Sequence, residues 1–170
     1  KPQKSDYFSL NVEYHKSKVK SSITAYHNNI RNMISLQTVS TSYEDKLQMV
    51  EETMKYVNLA KGYTYGVDFT FDVILPMNFK TGGSYSYLIA KGQRTDDETA
   101  DNYMKYVNIN GTSRHNASFR VSWDNTWGKY KLGINLNGRY QSKRYYSSEG
   151  NTKDYQIWRM NTSHSFFNTK

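Results

Sequence analysis

Residues Val57–Leu75 read VNLAKGYTYGVDFTFDVIL, and from Tyr63 onward aromatic and apolar side chains occupy every second position. Gly66, Asp68 and Asp72 fall on the intervening positions. Since successive strand residues point to opposite faces, this pattern predicts one strand with an apolar aromatic face and a polar, small-residue face. About twelve residue steps at ~3.3 Å, tilted by ~45°, give roughly 28 Å of height. That height is close to the ~25 Å lipid-facing band of an outer-membrane barrel strand, and it exceeds what a soluble sheet usually needs.

The composition suits a wet interface better than a dense core. The chain has 170 residues, with sixteen Tyr against seven Phe and three Trp. Tyr combines an apolar ring with a polar tip, which is typical of membrane interfaces and wet binding surfaces. No run of about 18 apolar residues occurs, so a transmembrane helix is excluded, whereas alternating barrel strands are compatible with this hydropathy. Cysteine is absent, which removes disulfide and thiolate-metal interpretations.

The formal net charge of +8 raises nucleic acid as a partner. The Lys and Arg residues are scattered along the chain and form no cluster of five or six. This spacing favours solvated cations of a lumen, of loops and of membrane interfaces over a phosphate-binding patch.

Six further segments alternate in the same way and predict an antiparallel sheet of about seven strands. Their approximate bounds are Tyr7–His15, Val19–Leu36, Thr81–Lys91, Arg114–Asp124, Tyr130–Tyr140 and Asp154–Phe166. The apolar parity of the second segment changes along its length, and a bulge near Asn28 and Asn29 would restore the register.

The predicted connections alternate between short and long. Turns at Lys16–Lys18, Pro76–Lys80 and Asn125–Gly128 are short, whereas residues 37–53, 92–112 and 142–153 are longer and polar. This order is expected when one barrel rim carries tight periplasmic turns and the other carries extracellular loops, so that Ser17, Met77 and Thr126 mark the periplasmic side. Aromatic residues near the strand ends, such as Trp123, Trp127 and Tyr130, stand where interfacial girdles are expected.

No catalytic constellation occurs in the sequence, and no enzymatic activity is predicted. The four His residues lie far apart without metal-ligand spacing, so neither a metal site nor a cofactor is expected. Asp96, Asp97, Glu98 and Asp101 are oxygen ligands that Ca²⁺ accepts, but they lack the EF-hand pattern and fit a solvated acidic loop better. Gly62 and Gly66 share one face of a strand, where they favour close approach of another backbone or of a plug inside a lumen.

The charged residues of the strands fall on the polar faces. Charges are costly toward lipid and inexpensive toward a wet lumen. The residues predicted to face the lumen are Gly66, Asp68, Asp72, Arg120 and Arg139.

Several of these segments resemble the barrel strands of TonB-dependent outer-membrane receptors. The stretch YVNLAKGYTYGVDFTFD (56–72) is similar to a family strand with a Y-x-N start and a G-V-E/D centre, and YHNNIRNMISL (26–36) to the strand before it. The segments SYSYLIAKG (84–92) and SRHNASFRVSW (113–123) resemble the strands that follow. GRYQSKRYYSSE and DYQIWRMNTSHSF resemble late barrel strands of vitamin B12, haem and siderophore receptors.

The resemblance implies an all-β fold of antiparallel up-and-down transmembrane strands, about seven here, within a larger 22-stranded type of barrel. Residues 1–170 are then expected to be a partial C-terminal barrel domain, a mature or excised piece without signal peptide, plug domain or final strands. The implied location is the outer membrane of a Gram-negative bacterium.

The resemblance also implies a function and partners. The expected function is active import of a bulky nutrient, cobalamin, haem or an iron siderophore. The partners would be outer-membrane lipid, the nutrient ligand, the TonB energy-coupling complex through the missing plug and a surface lipoprotein, with no nucleic acid. The candidate ligand-side residues are Tyr103, Tyr106, Arg144 and Tyr145. The alternative interpretation of these four residues is ordinary loop solubility and packing in an aromatic girdle. Two alternatives stay open: a passive porin or adhesin barrel, and a soluble β-sheet module that binds nucleic acid by Tyr stacking and Lys/Arg contacts.

Overall fold

The computed structural model describes residues 2–44, 49–93, 101, 104–146 and 150–166. Within these residues the chain is all-β, and it contains no helix that could cross a bilayer. The strands are β1 (Lys4–Lys16), β2 (Val19–Glu44), β3 (Met49–Ile74), β4 (Phe79–Gln93), β5 (Tyr106–Asn108), β6 (His115–Trp127), β7 (Tyr130–Gln141) and β8 (Tyr155–Ser165).

The strands form one meandering sheet in the order β1-β2-β3-β4-β6-β7-β8. β4 pairs with β6, β6 with β7 and β7 with β8, in each case antiparallel. The sheet is open within the described residues, with β1 and β8 at its edges. The predicted all-β antiparallel architecture is therefore confirmed.

The eighth strand is β5, which lies in the segment predicted as a long polar connection. It pairs with the end of β4, placing Tyr106 opposite Gln93 and Asn108 opposite Lys91. Ladder hydrogen bonds join backbone groups, so a polar sequence can form a strand wherever a neighbouring edge offers partners.

The loop predicted at residues 37–53 was also too long. β2 continues to Glu44 and β3 already begins at Met49, so that each strand has 26 residues. The apolar alternation ends well before the strands do, because ladder hydrogen bonds join backbone groups and do not require apolar side chains. The sequence pattern therefore marked the apolar part of each strand and missed its polar extension.

The irregularity predicted near Asn28 and Asn29 falls slightly later in β2. Asn32 has a φ of 54°, a left-handed conformation that Asn tolerates better than most residues. Single residues of this kind are typical of β-bulges, which allow a strand to change its facing parity.

The three short connections lie close to their predicted positions. Ser17 and Lys18 join β1 to β2, and Met77 and Asn78, with φ of 60° and 63°, form the centre of a tight turn from Pro76 to Phe79. The third turn differs, because β6 continues through Thr126 to Trp127 and the chain reverses at Gly128 and Lys129. Gly128 has a φ of 58°, which two-residue hairpin turns require and which glycine adopts without steric cost.

The chain divides into two compact units. The first unit comprises Lys1–Phe8, His27–Tyr65 and Ala90–Ile109, and the second comprises Ser9–Tyr26, Gly66–Ile89 and Asn110–Lys170. Ala90 is the one buried hydrophobic residue among the described side chains. Large apolar side chains such as Phe8, Leu10 and Met160 are instead about two thirds exposed, so the described side chains form no conventional core.

Candidate functional site

The cross-strand registers of the second unit separate two chemically different faces. One row runs from Gly82 through Arg120 and Asn137 to Arg159, with each residue directly opposite the next on the neighbouring strand. The positions one residue away form another row, Gly83, Phe119, Gly138 and Trp158. The faces alternate in step across all four strands, as the sequence pattern predicts.

The polar face carries an ion pair between Asp72 and Arg120. Lys131 and Asp124 form a second pair at 3.8 Å on the same face. Hydroxyl groups also pair across strands, with 2.8 Å between the side-chain oxygens of Ser22 and Thr70. Charged and hydroxyl groups therefore satisfy one another along this face.

An open depression of about 640 Å³ in the second unit is lined by residues of β3, β4, β6, β7 and β8, among them the apolar side chains of Phe71, Phe119 and Ile157. Arg120, Arg139 and Arg159 contribute three guanidinium groups to its lining, and Asp72 contributes a carboxylate. The depression is therefore cationic overall, and its charged groups suit contact with water or with a polar body better than with hydrocarbon.

Gly66 lies on the same parity of β3 as Asp68 and Asp72. A Cβ built on Gly66 would lie 2.6 Å from the Tyr26 hydroxyl oxygen and press on the backbone carbonyl of Tyr87. The absence of a side chain thus allows the Tyr26 ring to lie over the strand. The sequence indicated a close approach here but did not identify the tyrosine.

The opposite face of the second unit carries a continuous aromatic series at the short-turn end of the strands. Ring centroids are 6.0 Å apart for Phe79 and Trp123, 5.9 Å for Trp123 and Trp127, 6.2 Å for Trp127 and Tyr130, and 5.3 Å for Tyr130 and Phe166. Trp123 Nε1 also donates a 3.0 Å hydrogen bond to the Met77 carbonyl of the turn. An interfacial aromatic girdle combines apolar ring surfaces with hydrogen-bonded polar atoms, as Trp123 does at this end of the strands.

Aromatic contacts recur near the other end of the strands. In the second unit, Tyr85 and Tyr87 contact the His115 ring, and the Tyr85 hydroxyl lies 2.8 Å from His115 Nδ1. In the first unit, Tyr63 contacts Tyr106 at 5.0 Å and Tyr65 at 6.1 Å between ring centroids, and Tyr65 contacts His27. Each unit thus has an aromatic cluster where the apolar pattern ends.

Arg144 and Tyr145 belong to a tight network in the connection after β7. Gln141 is buried, and its Nε2 donates to Asn116 Oδ1 at 3.0 Å, while its Oε1 accepts two hydrogen bonds from Arg144. The Gly111 amide donates to the Tyr145 carbonyl at 2.7 Å. This connection is therefore held by backbone and side-chain bonds.

The predicted ligand-side residues do not form one cluster among the described residues, and Arg144 and Tyr145 are neighbours simply because they are consecutive in sequence. Arg144 and Tyr145 lie in the second unit, Tyr106 packs on Tyr63 in the first, and Tyr103 lies outside the described residues, as do Asp96, Asp97 and Glu98. No sequence signal identified Gln141, because an alternating strand pattern does not distinguish a buried amide from a solvated one. In the described part of the chain, no group of three His, Asp or Glu side chains is arranged to hold a metal ion.

Comparison with known proteins identifies this architecture. The family model described as "TonB dependent receptor-like, beta-barrel" matches residues 1–168, and the chain belongs to this family. No curated protein sequence matches the chain.

Solved structures of low sequence identity share the fold. They include BauA, the ferric preacinetobactin receptor from Acinetobacter baumannii (16% identity, TM-score 0.68, 97% of this chain and 23% of that one). The copper transporter OprC has 15% sequence identity and a TM-score of 0.66, and the match covers 95% of this chain and 23% of that one. The siderophore receptor PirA from Acinetobacter baumannii has 16% sequence identity and a TM-score of 0.60, and the match covers 95% of this chain and 25% of that one. The chain therefore spans about a quarter of the length of the receptors it matches.

Proposed function

We propose that this chain forms part of the barrel wall of a TonB-dependent active transporter in the outer membrane of a Gram-negative bacterium. The observation that carries the proposal is the unpartnered aromatic and apolar face, on which side chains as large as Phe8, Leu10, Trp158, Met160 and Phe166 are more than half exposed. A soluble protein rarely leaves so much apolar surface open, whereas lipid covers it in a barrel. The open edges at β1 and β8 would be paired by further strands, because unpaired backbone groups are costly in hydrocarbon.

The polar face supports assignment as the barrel interior. Asp68, Asp72, Arg120 and Arg139 are the charged members of the predicted lumen-facing set, and Gly66 supplies the close approach beneath Tyr26. A charge that faces lipid costs several kcal/mol near the bilayer centre, roughly 2–4 for Arg or Lys, whereas a wet interior accepts it.

The cargo we propose is a bulky, scarce nutrient, with an iron siderophore, haem or cobalamin as the candidates. Family membership and the fold shared with a ferric preacinetobactin receptor, a siderophore receptor and a copper transporter support a metal-containing cargo. In such a transporter a plug domain and the TonB complex would supply gating and energy, and the barrel itself would not act as an enzyme. A surface lipoprotein is a further partner that the resemblance suggests.

The extracellular side would present Arg144 and Tyr145 from the connection after β7 and Tyr106 from β5. The network around Gln141 supports a binding role for Arg144, because a guanidinium fixed by two hydrogen bonds loses little conformational entropy when it contacts an anionic ligand. Tyr103 stays a candidate on sequence grounds.

The two alternative functions differ from this proposal in testable ways. A passive porin or adhesin would share the lipid-facing wall but would need neither plug nor energy coupling. A soluble nucleic-acid-binding module would need a core partner for the aromatic face, and the described residues offer neither a helix nor a second sheet to cover it.

Site-directed spin labelling tests the wall assignment. Single labels at Val67, Asp68, Phe69 and Thr70 would be placed in the full-length receptor in bilayers, and their accessibility to a lipid-soluble and a water-soluble quencher measured. We avoid Gly66, because any side chain there would press on the Tyr87 carbonyl.

We expect the labels at Val67 and Phe69 to respond to the lipid-soluble quencher, and those at Asp68 and Thr70 to respond weakly. Water accessibility at all four positions, or no alternation, would contradict the membrane assignment and favour the nucleic-acid module. If the wall is confirmed, nutrient uptake with and without TonB separates active transport from a passive pore.

A further inference from the structure

The polar face of the second unit carries a second open depression beside the one described above. It has a volume of about 380 Å³ and lies toward the short turns. Asp72 and Arg120 line both depressions, so the two are continuous around this ion pair. We call the basic side chains of both depressions the cationic band, and its members are Lys18, Lys20, Lys80, Arg120, Arg139 and Arg159.

Strand pairing places the band across the sheet at nearly one height. Arg120 stands opposite Asn137, and Asn137 stands opposite Arg159. Lys80 lies two residues from this row on the side of the short turns, and Arg139 lies two residues from it on the other side.

The contacts between β2 and β3 add Lys20 to the same row. The Ser22 and Thr70 hydroxyl oxygens are 2.8 Å apart, and the Ile74 amide donates a 2.8 Å hydrogen bond to the Lys18 carbonyl. In an antiparallel pair these two contacts put Lys20 opposite Asp72. At about 4.8 Å between neighbouring strands, the band spans about 24 Å from β2 to β8.

The carboxylates of this face leave most of the band unpaired. Asp72 is the one carboxylate that lines either depression among the described residues, and it pairs with Arg120. Four cations of the band are exposed and form no ion pair with a described residue, namely Lys20, Lys80, Arg139 and Arg159. With six cations and one carboxylate, the two depressions carry a net charge of about +5 by the usual ionisation of these groups.

The other acidic residues of the polar face lie outside both depressions. Asp124 pairs with Lys131 at 3.8 Å, and Glu13 accepts a 2.8 Å hydrogen bond from the Asn11 amide. Asp68 lies on the parity of Asp72, four residues further from the short turns. The excess of positive charge is therefore local to the band.

A band of cations at one height of an interior surface favours the passage of anions. Lys and Arg side chains line anion and phosphate pores, and a cleft with charges of one sign raises the local concentration of a ligand of the other sign. Because the side chains of the band are exposed, each contact contributes little. Several weak contacts attract an anion without trapping it, as transport requires.

We propose that the cationic band selects an anionic metal chelate as the cargo, one that presents carboxylate or catecholate oxygens. The inference rests on the proposed function, because it requires the polar face to line the lumen. The planar guanidinium groups of Arg139 and Arg159 match paired oxygen atoms in two-pronged hydrogen bonds, and the ammonium groups of Lys20 and Lys80 act as point charges. A neutral chelate gains no such attraction from the band.

Charged thiol reagents measure the potential at the band directly. The chain has no cysteine, and Asn137 is exposed, two residues from Arg139 and directly opposite Arg159. Asn137→Cys in the full-length receptor in cells would be labelled with two methanethiosulfonates of similar size, the anionic ethylsulfonate and the cationic ethyltrimethylammonium reagent. Each labelling rate is divided by the rate of the same reagent with 2-mercaptoethanol.

Two matched variants show whether the band sets the ratio of these rates. Arg139→Gln/Arg159→Gln removes two cations next to the cysteine and leaves the pair of Asp72 and Arg120 in place. The control Lys16→Gln/Lys129→Gln removes the same charge from exposed side chains near the short turns that line neither depression. We expect the anionic reagent to react faster in the Asn137→Cys receptor and in the control, and the ratio to fall by at least about threefold in the band variant.

Two iron(III) complexes then test the class of cargo. At millimolar concentration the tris-catecholate complex, which is multiply anionic, should slow the labelling of Asn137→Cys, and the neutral tris-hydroxamate complex should not. The band variant should lose this difference. Equal reaction of the two reagents, an unchanged ratio in the band variant, or the same effect of both complexes would overturn the proposal.

Failure of both reagents to react would also overturn it, because an acidic protein segment or hydrocarbon would then cover the band. The Thr70 spin label separates these two outcomes, since Thr70 lines the same depression. A Thr70 label that does not contact lipid contradicts the cationic band alone. A label that responds to the lipid-soluble quencher contradicts the proposed function itself.

Discussion

Asp72 on β3 and Arg120 on β6 form an ion pair across the polar face although β4 lies between their strands. They meet above Gly82, where a Cβ would lie 3.0 Å from Arg120 Nε and press on the Asp72 carboxylate. The glycine thus provides the gap through which two side chains on non-adjacent strands reach each other. Since the two side chains are 51% and 64% exposed, the interaction should stabilise the fold only modestly.

A double-mutant cycle measures this interaction. We expect Asp72→Asn and Arg120→Gln to show a coupling free energy of about 0.2–1 kcal/mol in urea unfolding of the receptor in vesicles. In a Gly82→Val background the coupling should vanish, because the valine fills the gap. The pair Asp124 and Lys131, at 3.8 Å, is the control and should couple more weakly. Coupling that survives Gly82→Val would contradict the role assigned to the glycine.

A second glycine makes room for an aromatic ring on the opposite face. A Cβ on Gly138 would lie 2.5 Å from the Trp158 ring, which covers the glycine on the neighbouring strand. We expect Gly138→Val to destabilise the folded receptor by about 1–3 kcal/mol, the usual cost of overpacking. Trp158→Ala in the same background should recover part of that loss, because it removes the clash.

Leu136→Val is the matched control for Gly138→Val, since it changes the same face of β7 without opposing a ring. Thermal unfolding of the wild type and the three variants in bilayers provides the comparison. A wild-type melting temperature for Gly138→Val would show that the Trp158 ring can leave the glycine at no cost.

The sequence predicted the parity of the strands far better than their ends. The predicted alternation of β6 and β7 holds in the registers because a side-chain period of two is fixed by backbone geometry. The polar extension of β2 to Glu44 and the short strand β5 were missed, because their strand character comes from available edge partners and not from hydropathy.

The candidate site residues show the same limit, because the sequence indicates the parity of a residue but not its partner on another strand. Asp72 and Arg120 were predicted on the polar face, but their pairing depends on the offset between three strands, which a single sequence does not contain. Cross-strand register was therefore the missing information.

The buried amide of Gln141 should control the order of the connection that carries Arg144 and Tyr145. Gln141→Ala removes two acceptor interactions with Arg144 and leaves the Asn116 carbonyl oxygen without this donor. Loss of such buried partners costs about 1–3 kcal/mol locally. We expect faster hydrogen exchange at the Gly111 and Tyr145 amides, measured by mass spectrometry of the intact receptor.

Asn135→Ala is the control for Gln141→Ala, because Asn135 lies on the same parity of β7 but is exposed. It should leave exchange in the connection unchanged. Equal exchange in Gln141→Ala and wild type would mean that the backbone bonds between residues 111–112 and 145 suffice to hold the connection.

The three tryptophans should report increasing depth in the bilayer in the order Trp127, Trp123 and Trp158. Trp123 and Trp127 belong to the aromatic series at the short-turn end, whereas Trp158 stands opposite Gly138, which stands opposite Phe119. Four strand residues separate Trp127 from Trp123 and Trp123 from Phe119, and each interval corresponds to about 9 Å of depth at a tilt near 45°.

In variants that retain one tryptophan, we expect headgroup-proximal brominated lipids to quench Trp127 most strongly, lipids brominated deep in the acyl chain to quench Trp158 most strongly, and Trp123 to fall between them. The remaining tryptophans are replaced by Phe, which preserves the aromatic volume, and Trp123→Phe in addition removes the hydrogen bond to the Met77 carbonyl. Equal quenching depth at all three positions would contradict the placement of the rim girdle, since residues about 9 Å apart along the membrane normal cannot share one depth.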